Sequence, residues 1–236
     1  MFTRLLSLSL PLPTQCAICR GWGARRVCDR CSDRFVAAVQ RCERCALRVP
    51  AGTRTCGACV VEPPPCDSVL AALDYAHPWD RLIGRFKFDA ALDLAGVFAG
   101  LVERAWRDSG RPKPELLLPV PLSLPRLRER GYNQSWELAR RIGRGLDVAA
   151  DVRLLLRVRD TAHQLAFPFE RRAANVRSAF AVAPRRIAEL RGRSVTLVDD
   201  VMTTGATLAE IARTLRLAGA AQVHALVLAR TPAPGE

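Results

Sequence analysis

From Asp67 onward the chain alternates short aliphatic runs with longer segments of helical periodicity. "VLAALDY" (Val69 to Tyr75) and "ELLLPVPL" (Glu115 to Leu122) read as strands, the second ending in prolines. Ala179 to Val182 reads as a short strand, and Val195 to Val198 has the pattern of a strand buried on both faces. "VHALVLA" (Val223 to Ala229) closes the sheet. Between these runs, "WDRLIGRFKFDAALDLAGVFAGLVERAW" predicts amphipathic helix interrupted near Asp89 to Leu92, and "RLRERGYNQSWELARRIGRGL" a second helical region. Leu208, Ile211, Ala212 and Leu215 recur at helical spacing, and Gly219 stands where a helix C-cap glycine belongs. Alternating strands and helices imply an α/β fold, a mostly parallel sheet flanked by helices.

The first 66 residues have a different texture. Eight of the nine cysteines form four identically spaced pairs: Cys16/Cys19, Cys28/Cys31, Cys42/Cys45 and Cys56/Cys59. Each C-x-x-C turn presents two thiolates to one metal, and two such pairs complete a tetrahedral four-thiolate site. The intervening apolar content is too low to fold this stretch alone, so metal supplies what the core lacks. Two structural zinc ions are expected, in preference to disulfides or a redox dithiol. Spacers of about ten residues favour sequential over interleaved pairing, because short loops cost little entropy to close. Cys66, in "PPPCDS", has no partner and reads as a small buried apolar residue. The proline run marks a boundary between an N-terminal zinc-ribbon module, 1–66, and an α/β domain, 67–236.

The segment "SVTLVDDVMTTGATLAEIARTL" (Ser194 to Leu215) carries the most specific chemistry. A strand runs into Asp199 and Asp200, and Thr203, Thr204, Gly205, Ala206 and Thr207 follow before a helix. Unpaired N–H groups and partial positive charge at a helix N-terminus suit a phosphate, and Gly205 and Ala206 permit close approach. The paired acids suit sugar hydroxyls, which can donate to a carboxylate. The ligand that fits both is a phosphorylated sugar. Neither a Walker loop nor a G-x-G-x-x-G turn is present here.

Strand, two acids and Thr-Thr-Gly-Ala-Thr resembles the phosphoribosyl pyrophosphate (PRPP) signature of type I phosphoribosyltransferases. The resemblance implies that Asp199 and Asp200 hold the ribose hydroxyls and are the catalytic candidates, with residues 203–207 holding the 5′-phosphate of PRPP or ribose 5-phosphate. It implies Mg²⁺ travelling with PRPP. "PVPL…RGYNQ" is similar to a pyrophosphate loop and offers Ser123, Arg126, Arg128 and Arg130. The polar stretch Arg157 to Arg177 corresponds to a hood over the ligand, with Arg159, Thr161, Gln164, Arg171, Arg172 and Asn175 as candidates; a lone His163 there reads as incidental.

Cysteine pairs followed by "FKF", "RLRERGYNQS", "RVRDTAHQ", "ERRAANVRSAF" and "LVDDVMTTGATL" resemble the ComF/GntX-like family along nearly the whole chain. That resemblance implies a cytoplasmic protein of bacterial competence and DNA uptake, working beside a helicase-like partner. Two functions follow: a phosphoribosyltransferase, or a non-catalytic adaptor that binds PRPP or single-stranded DNA. The net charge of +13 comes almost wholly from arginine, with Lys87 and Lys113 the only lysines. Arginine forks bind either kind of phosphate, so charge does not choose between the two. No apolar run is long enough to span a membrane. "LLSLSLPLP" near the N-terminus lacks a strong basic start and a cleavage site, and reads as a buried segment rather than an export signal.

Overall fold

The computed structural model describes residues 13–159 and 179–233. The expectations for the N-terminal apolar segment and for Thr161, His163, Gln164, Arg171, Arg172 and Asn175 lie outside the described residues. The chain divides into two compact units, residues 1–37 and 38–236.

In the first unit, β1 (Thr14–Gln15) pairs antiparallel with β2 (Trp22–Gly23), and α1 spans Asp29–Phe35. Between the two strands the chain turns tightly: the Arg20 N–H donates to the Cys16 carbonyl at 3.0 Å, with Arg20 at a φ of 65°. The second unit opens on the same turn. Ala46, four residues after Cys42 as Arg20 is after Cys16, has φ 57° and donates to the Cys42 carbonyl at 2.8 Å. A short helix α2 (Gly57–Val61) then starts at Cys56 as α1 starts at Cys28. The two cysteine segments are copies of one fold.

The second copy is fastened to β3 (Ser68–Asp74). The Val69 N–H donates to the Glu43 carbonyl at 2.8 Å, Arg44 to the Asp67 carbonyl at 2.7 Å, and both Arg41 and Arg48 pair with Asp74. Ala46 is fully buried in the main apolar cluster. These contacts are why compactness divides the chain between Ala37 and Ala38, whereas the proline run placed the expected boundary at residue 66.

The main sheet is wholly parallel, in the order β3, β8 (Gln222–Arg230), β7 (Ser194–Met202) and β4 (Leu117–Pro119). The last strand therefore does not lie at an edge but fills the slot between β3 and β7. β7 is longer than its aliphatic run suggested and includes both acids, with Asp199 opposite Val227 and Met202 opposite Arg230 of β8. β4 is much shorter than Glu115 to Leu122, because Pro119 and Pro121 have no N–H to extend a ladder, which confines it to an edge. Helices α3 (Trp79–Phe88) and α4 (Ala95–Asp108) are separate, broken at Ala90, which takes φ 51°. Helices α5 (Leu124–Arg130) and α6 (Gln134–Leu146) follow β4, and α7 (Ala206–Leu217) follows β7.

Helix α6 packs on α4 and against β4 and β7. Helix α7 packs on β8 and shares a buried cluster with Leu116, Leu118, Val195, Leu197, Val223 and Ala225. Alternate residues of each strand thus feed the α7 side, as the pleat requires. Gly219 ends α7 as expected, at φ 101°, and Ala220 donates back to the Leu215 carbonyl at 3.0 Å. Phe180–Val182 (β6) pairs antiparallel with β5 (Leu155–Arg157), a strand that the sequence pattern did not predict and that ends where the polar stretch begins. Cys66 is 3% exposed and its thiol is pushed up to about 12 by burial, the behaviour of a small core residue.

Candidate functional sites

The eight cysteine thiols gather into two groups, Cys16/Cys19/Cys28/Cys31 and Cys42/Cys45/Cys56/Cys59, with the four sulfurs of each group within 4.8 Å of one another. The pairing is sequential. A tetrahedral ion with bonds of about 2.3 Å places its sulfurs roughly 3.8 Å apart. The Cys19–Cys28 and Cys45–Cys56 sulfurs are 3.8 and 3.6 Å apart, so the donor set and its spacing fit zinc. The Cys28 N–H points at the Cys16 sulfur at 3.4 Å, and the Cys56 N–H at the Cys42 sulfur at 3.3 Å. Burial opposes ionisation at Cys16 and Cys42, but N–H donors from Cys28 and Cys56 and from each thiol's own turn outweigh it and hold these thiols down to about 6 and about 7. These donors favour the thiolate form that a metal takes.

The second site lies at the carboxyl ends of the parallel strands, where open sheets bind ligands. A cavity of about 360 Å³ is walled on one side by Asp199 and Asp200 and on another by residues 203–207, with Arg126, Arg130 and Arg157 around it. The local sequence explains each wall. Gly205 turns the chain at φ 82°, leaving the N-terminus of α7 without a side-chain cap. The Ala206 N–H reaches the Thr204 hydroxyl at 3.2 Å. On the other wall Gly131 ends α5 in the left-handed region and Asn133 begins α6, its side chain accepting from the Ser135 and Trp136 N–H groups. That cap presents the Ser135 hydroxyl, which donates to Asp199 at 2.9 Å.

Lys87, at the end of α3, completes the acid wall by pairing with Asp200 at 2.9 Å. It is held there by Tyr132, whose hydroxyl donates to the Phe86 carbonyl, and by Gln134, which donates to the Lys87 carbonyl at 3.4 Å. Burial pushes the Asp199 carboxyl up to about 7 and the neighbouring Asp200 charge adds to the rise. Lys87, the Ser135 hydroxyl and the Asp200 N–H pull in the other direction. On the basic wall the Arg130 guanidinium stacks 4.9 Å from the Phe88 ring centre, and its Nε is buried without a hydrogen-bond partner among the described residues.

Of the residues expected from sequence, Asp199, Asp200, Thr203 to Thr207, Arg126 and Arg130 line this one cavity. Ser123 is buried at the start of α5 and Arg159 is exposed; neither is on its wall. Arg171 lies outside the described residues. Arg157, the first residue of the expected hood, is on the wall too, as are Lys87 and Ser135, to which the sequence assigned no role at the site. Lys87 carried a signal, as one of two lysines in a chain that otherwise uses arginine. Ser135 carried none, because its role depends on a contact 64 residues away.

The phosphoribosyl transferase domain family matches residues 138–236. The chain is 34% identical over 232 residues to a DNA utilization protein of Salmonella typhi, YhgH, covering 94% of this chain and 99% of that one. It is 36% identical over 171 residues to competence protein F of Haemophilus influenzae, covering 71% and 74%. Among solved structures, an allosteric regulatory enzyme of purine biosynthesis is similar at 20% identity and a TM-score of 0.36, over 57% of this chain and 26% of that one.

Purified protein is expected to carry about two zinc ions per chain, and Cys16→Ser/Cys19→Ser about one, by elemental analysis. Full metal content and unchanged stability in that variant would rule the thiolate site out. A separate expectation concerns pH. The folded state binds a proton on Asp199 more tightly than the unfolded chain, whose carboxylates titrate near about 4. Its contribution to stability is therefore favourable at low pH and declines as pH rises from about 4 towards 7. Asp199→Asn should thus raise the melting temperature at pH 8 relative to wild type by roughly 2–4 °C, the effect of about 1 kcal/mol in a domain of this size. The gain should shrink at pH 5; an equal gain at both pH values would contradict the raised carboxyl.

Proposed function

Because this chain belongs to the ComF/GntX-like family, with a double four-cysteine module and a phosphoribosyltransferase domain, we propose that its cavity binds PRPP. The observation that carries the reading is that two acids and a helix N-terminus without a side-chain cap line one cavity. A carboxylate pair has an obvious task on ribose hydroxyls and none on a nucleic-acid backbone, which it repels. Asp199 and Asp200 hold the ribose, and residues 203–207 receive the 5′-phosphate on backbone N–H and hydroxyl groups. Arg126, Arg130 and Arg157 face the pyrophosphate, and Arg130 brings a buried, unsatisfied N–H to it. Carboxylates, hydroxyls and phosphate oxygens form a hard donor set suited to Mg²⁺, which supplies neutralisation of the leaving pyrophosphate.

The reaction class is transfer of a phosphoribosyl group. The arginines draw charge onto the pyrophosphate as the bond at C1′ breaks, and the fixed dipoles of the cavity steady the oxocarbenium-like centre that results. Lys87 keeps the two acids side by side before the sugar arrives. We take residues 1–66 as the zinc-bearing module and 67–236 as the transferase module. The names of the relatives, DNA utilization and competence, support a link to the use of DNA; a cytoplasmic setting, a helicase-like partner and single-stranded DNA belong to the same proposal. Among the described residues no helix is long and apolar enough to cross a membrane.

Gly205→Val should abolish binding of phosphoribosyl ligands in calorimetry while costing less in folding. A side chain there must adopt φ 82°, and its Cβ would come within 2.6 Å of the Met202 Cε atom. Unchanged affinity in a folded variant would put the ligand elsewhere. The basic wall makes a second test. Arg126→Ala and Arg130→Ala should weaken PRPP more than ribose 5-phosphate, by tenfold or more. If these side chains serve DNA instead, the same variants will weaken single-strand binding and flatten its salt dependence, leaving PRPP untouched.

A further inference from the structure

Arg230, the last residue of β8, is 6% exposed, an unusual position for a guanidinium. Its hydrogen-bond partners among the described residues are carbonyl oxygens. Nε donates to Cys45 at 2.9 Å, and Nη1 to Met202 at 3.1 Å, to Thr231 at 2.6 Å and to Thr203. Cys45 is a ligand of the second four-thiolate site, while Met202 and Thr203 lead into the phosphate loop. One side chain thus spans from the cysteine turn to the ligand wall. A divalent ion held by four thiolates keeps a net negative charge, so the loaded site is a counter-ion for this guanidinium.

We infer that Arg230 is a positioning residue that couples metal occupancy of the Cys42/Cys45/Cys56/Cys59 site to the shape of the phosphate loop. In a trans peptide the carbonyl and the following N–H point in opposite directions. Drawing the Met202 and Thr203 carbonyls onto Arg230 therefore turns the Thr203 and Thr204 N–H groups away from it. When the metal leaves, the guanidinium loses part of its counter-charge and the loop part of its anchor, the Thr231 N–H still donating to the Met202 carbonyl at 3.0 Å. The Cys16/Cys19/Cys28/Cys31 site belongs to the other compact unit, residues 1–37. The coupling itself does not require PRPP; its consequence for the ligand rests on the function proposed above.

Amide hydrogen exchange across residues 201–207 tests the coupling without any ligand. Arg230→Met and Cys42→Ser/Cys45→Ser should each speed exchange in this segment by tenfold or more, while the middle of α7 keeps its protection. Arg230→Lys, which retains the charge, should restore part of the protection, and Cys16→Ser/Cys19→Ser should leave the segment as in wild type. If the Cys42 variant does not fold, chelation of the Cys16→Ser/Cys19→Ser protein, which holds only the second metal, replaces it. An unchanged segment in Arg230→Met, or loop and α7 loosening together, would overturn the inference. In the ligand arm, zinc release to a chelator is timed with and without PRPP and Mg²⁺. Coupling is reciprocal, so PRPP should slow release of one of the two ions in wild type and of neither in Arg230→Met. PRPP that binds by calorimetry yet slows neither release would overturn the coupling. Protein that shows the exchange pattern but binds no PRPP would keep the coupling and refute the ligand.

Discussion

Two carboxylates forced together at the end of a buried parallel strand create a problem that the surrounding structure is arranged to solve. Asp199 and Asp200 both lie within β7, and Asp199 stands opposite Val227 of β8, so their backbones are fixed side by side. Like charges at this range in a poorly solvated place raise the pKa of one of them, and Asp199 shows that rise. The nearby elements answer it. Helix α3 ends so that Lys87 meets Asp200, and the Asn133 cap starts α6 so that Ser135 meets Asp199. Without these partners the acids would be costly, since leaving a buried charge unpaired costs several kcal/mol.

The opposite wall is built on the complementary principle. Helix α7 begins without a side-chain cap, because the residue at that position is Gly205 rather than a Ser, Thr, Asp or Asn. Its positive end is left for an anion, and the acids and the helix end face one cavity from two consecutive stretches of chain. A sugar phosphate carries both matching groups a few bonds apart. The second cysteine site touches this wall through Arg230, which donates to the Cys45 and Met202 carbonyls.

Much of this was legible in the sequence where the signal is local. The strand–acid–acid–loop–helix segment declares itself because burial, turn and cap are all encoded within about twenty contiguous residues. The cysteine sites were legible for the same reason, spacing being the whole of the signal. Legibility fails where function depends on contacts distant in sequence. Lys87 and Ser135 read as an ordinary helix-end lysine and an ordinary helix-start serine until the fold brings them to the acids. Arg230 follows an aliphatic run and reads as a solvated strand end, yet burial and two loops converge on it. Strand limits erred in both directions: prolines cut β4 short, and acids that look like a turn remain inside β7 because β8 pairs with them.

The central claim is that the acid pair exists to hold a ribose phosphate. Calorimetric titration of PRPP with Mg²⁺ into wild type and into Asp199→Asn/Asp200→Asn addresses it most directly, with zinc content and melting temperature measured on both proteins. The double variant keeps the shape of the wall and removes its charge, so it should remain folded and lose at least a hundredfold in PRPP affinity, as expected when two charge-assisted hydrogen bonds are reduced to neutral ones at about 1.5 kcal/mol each. A folded variant that binds PRPP as well as wild type does, or a wild-type protein with no heat of binding at all, would contradict the account.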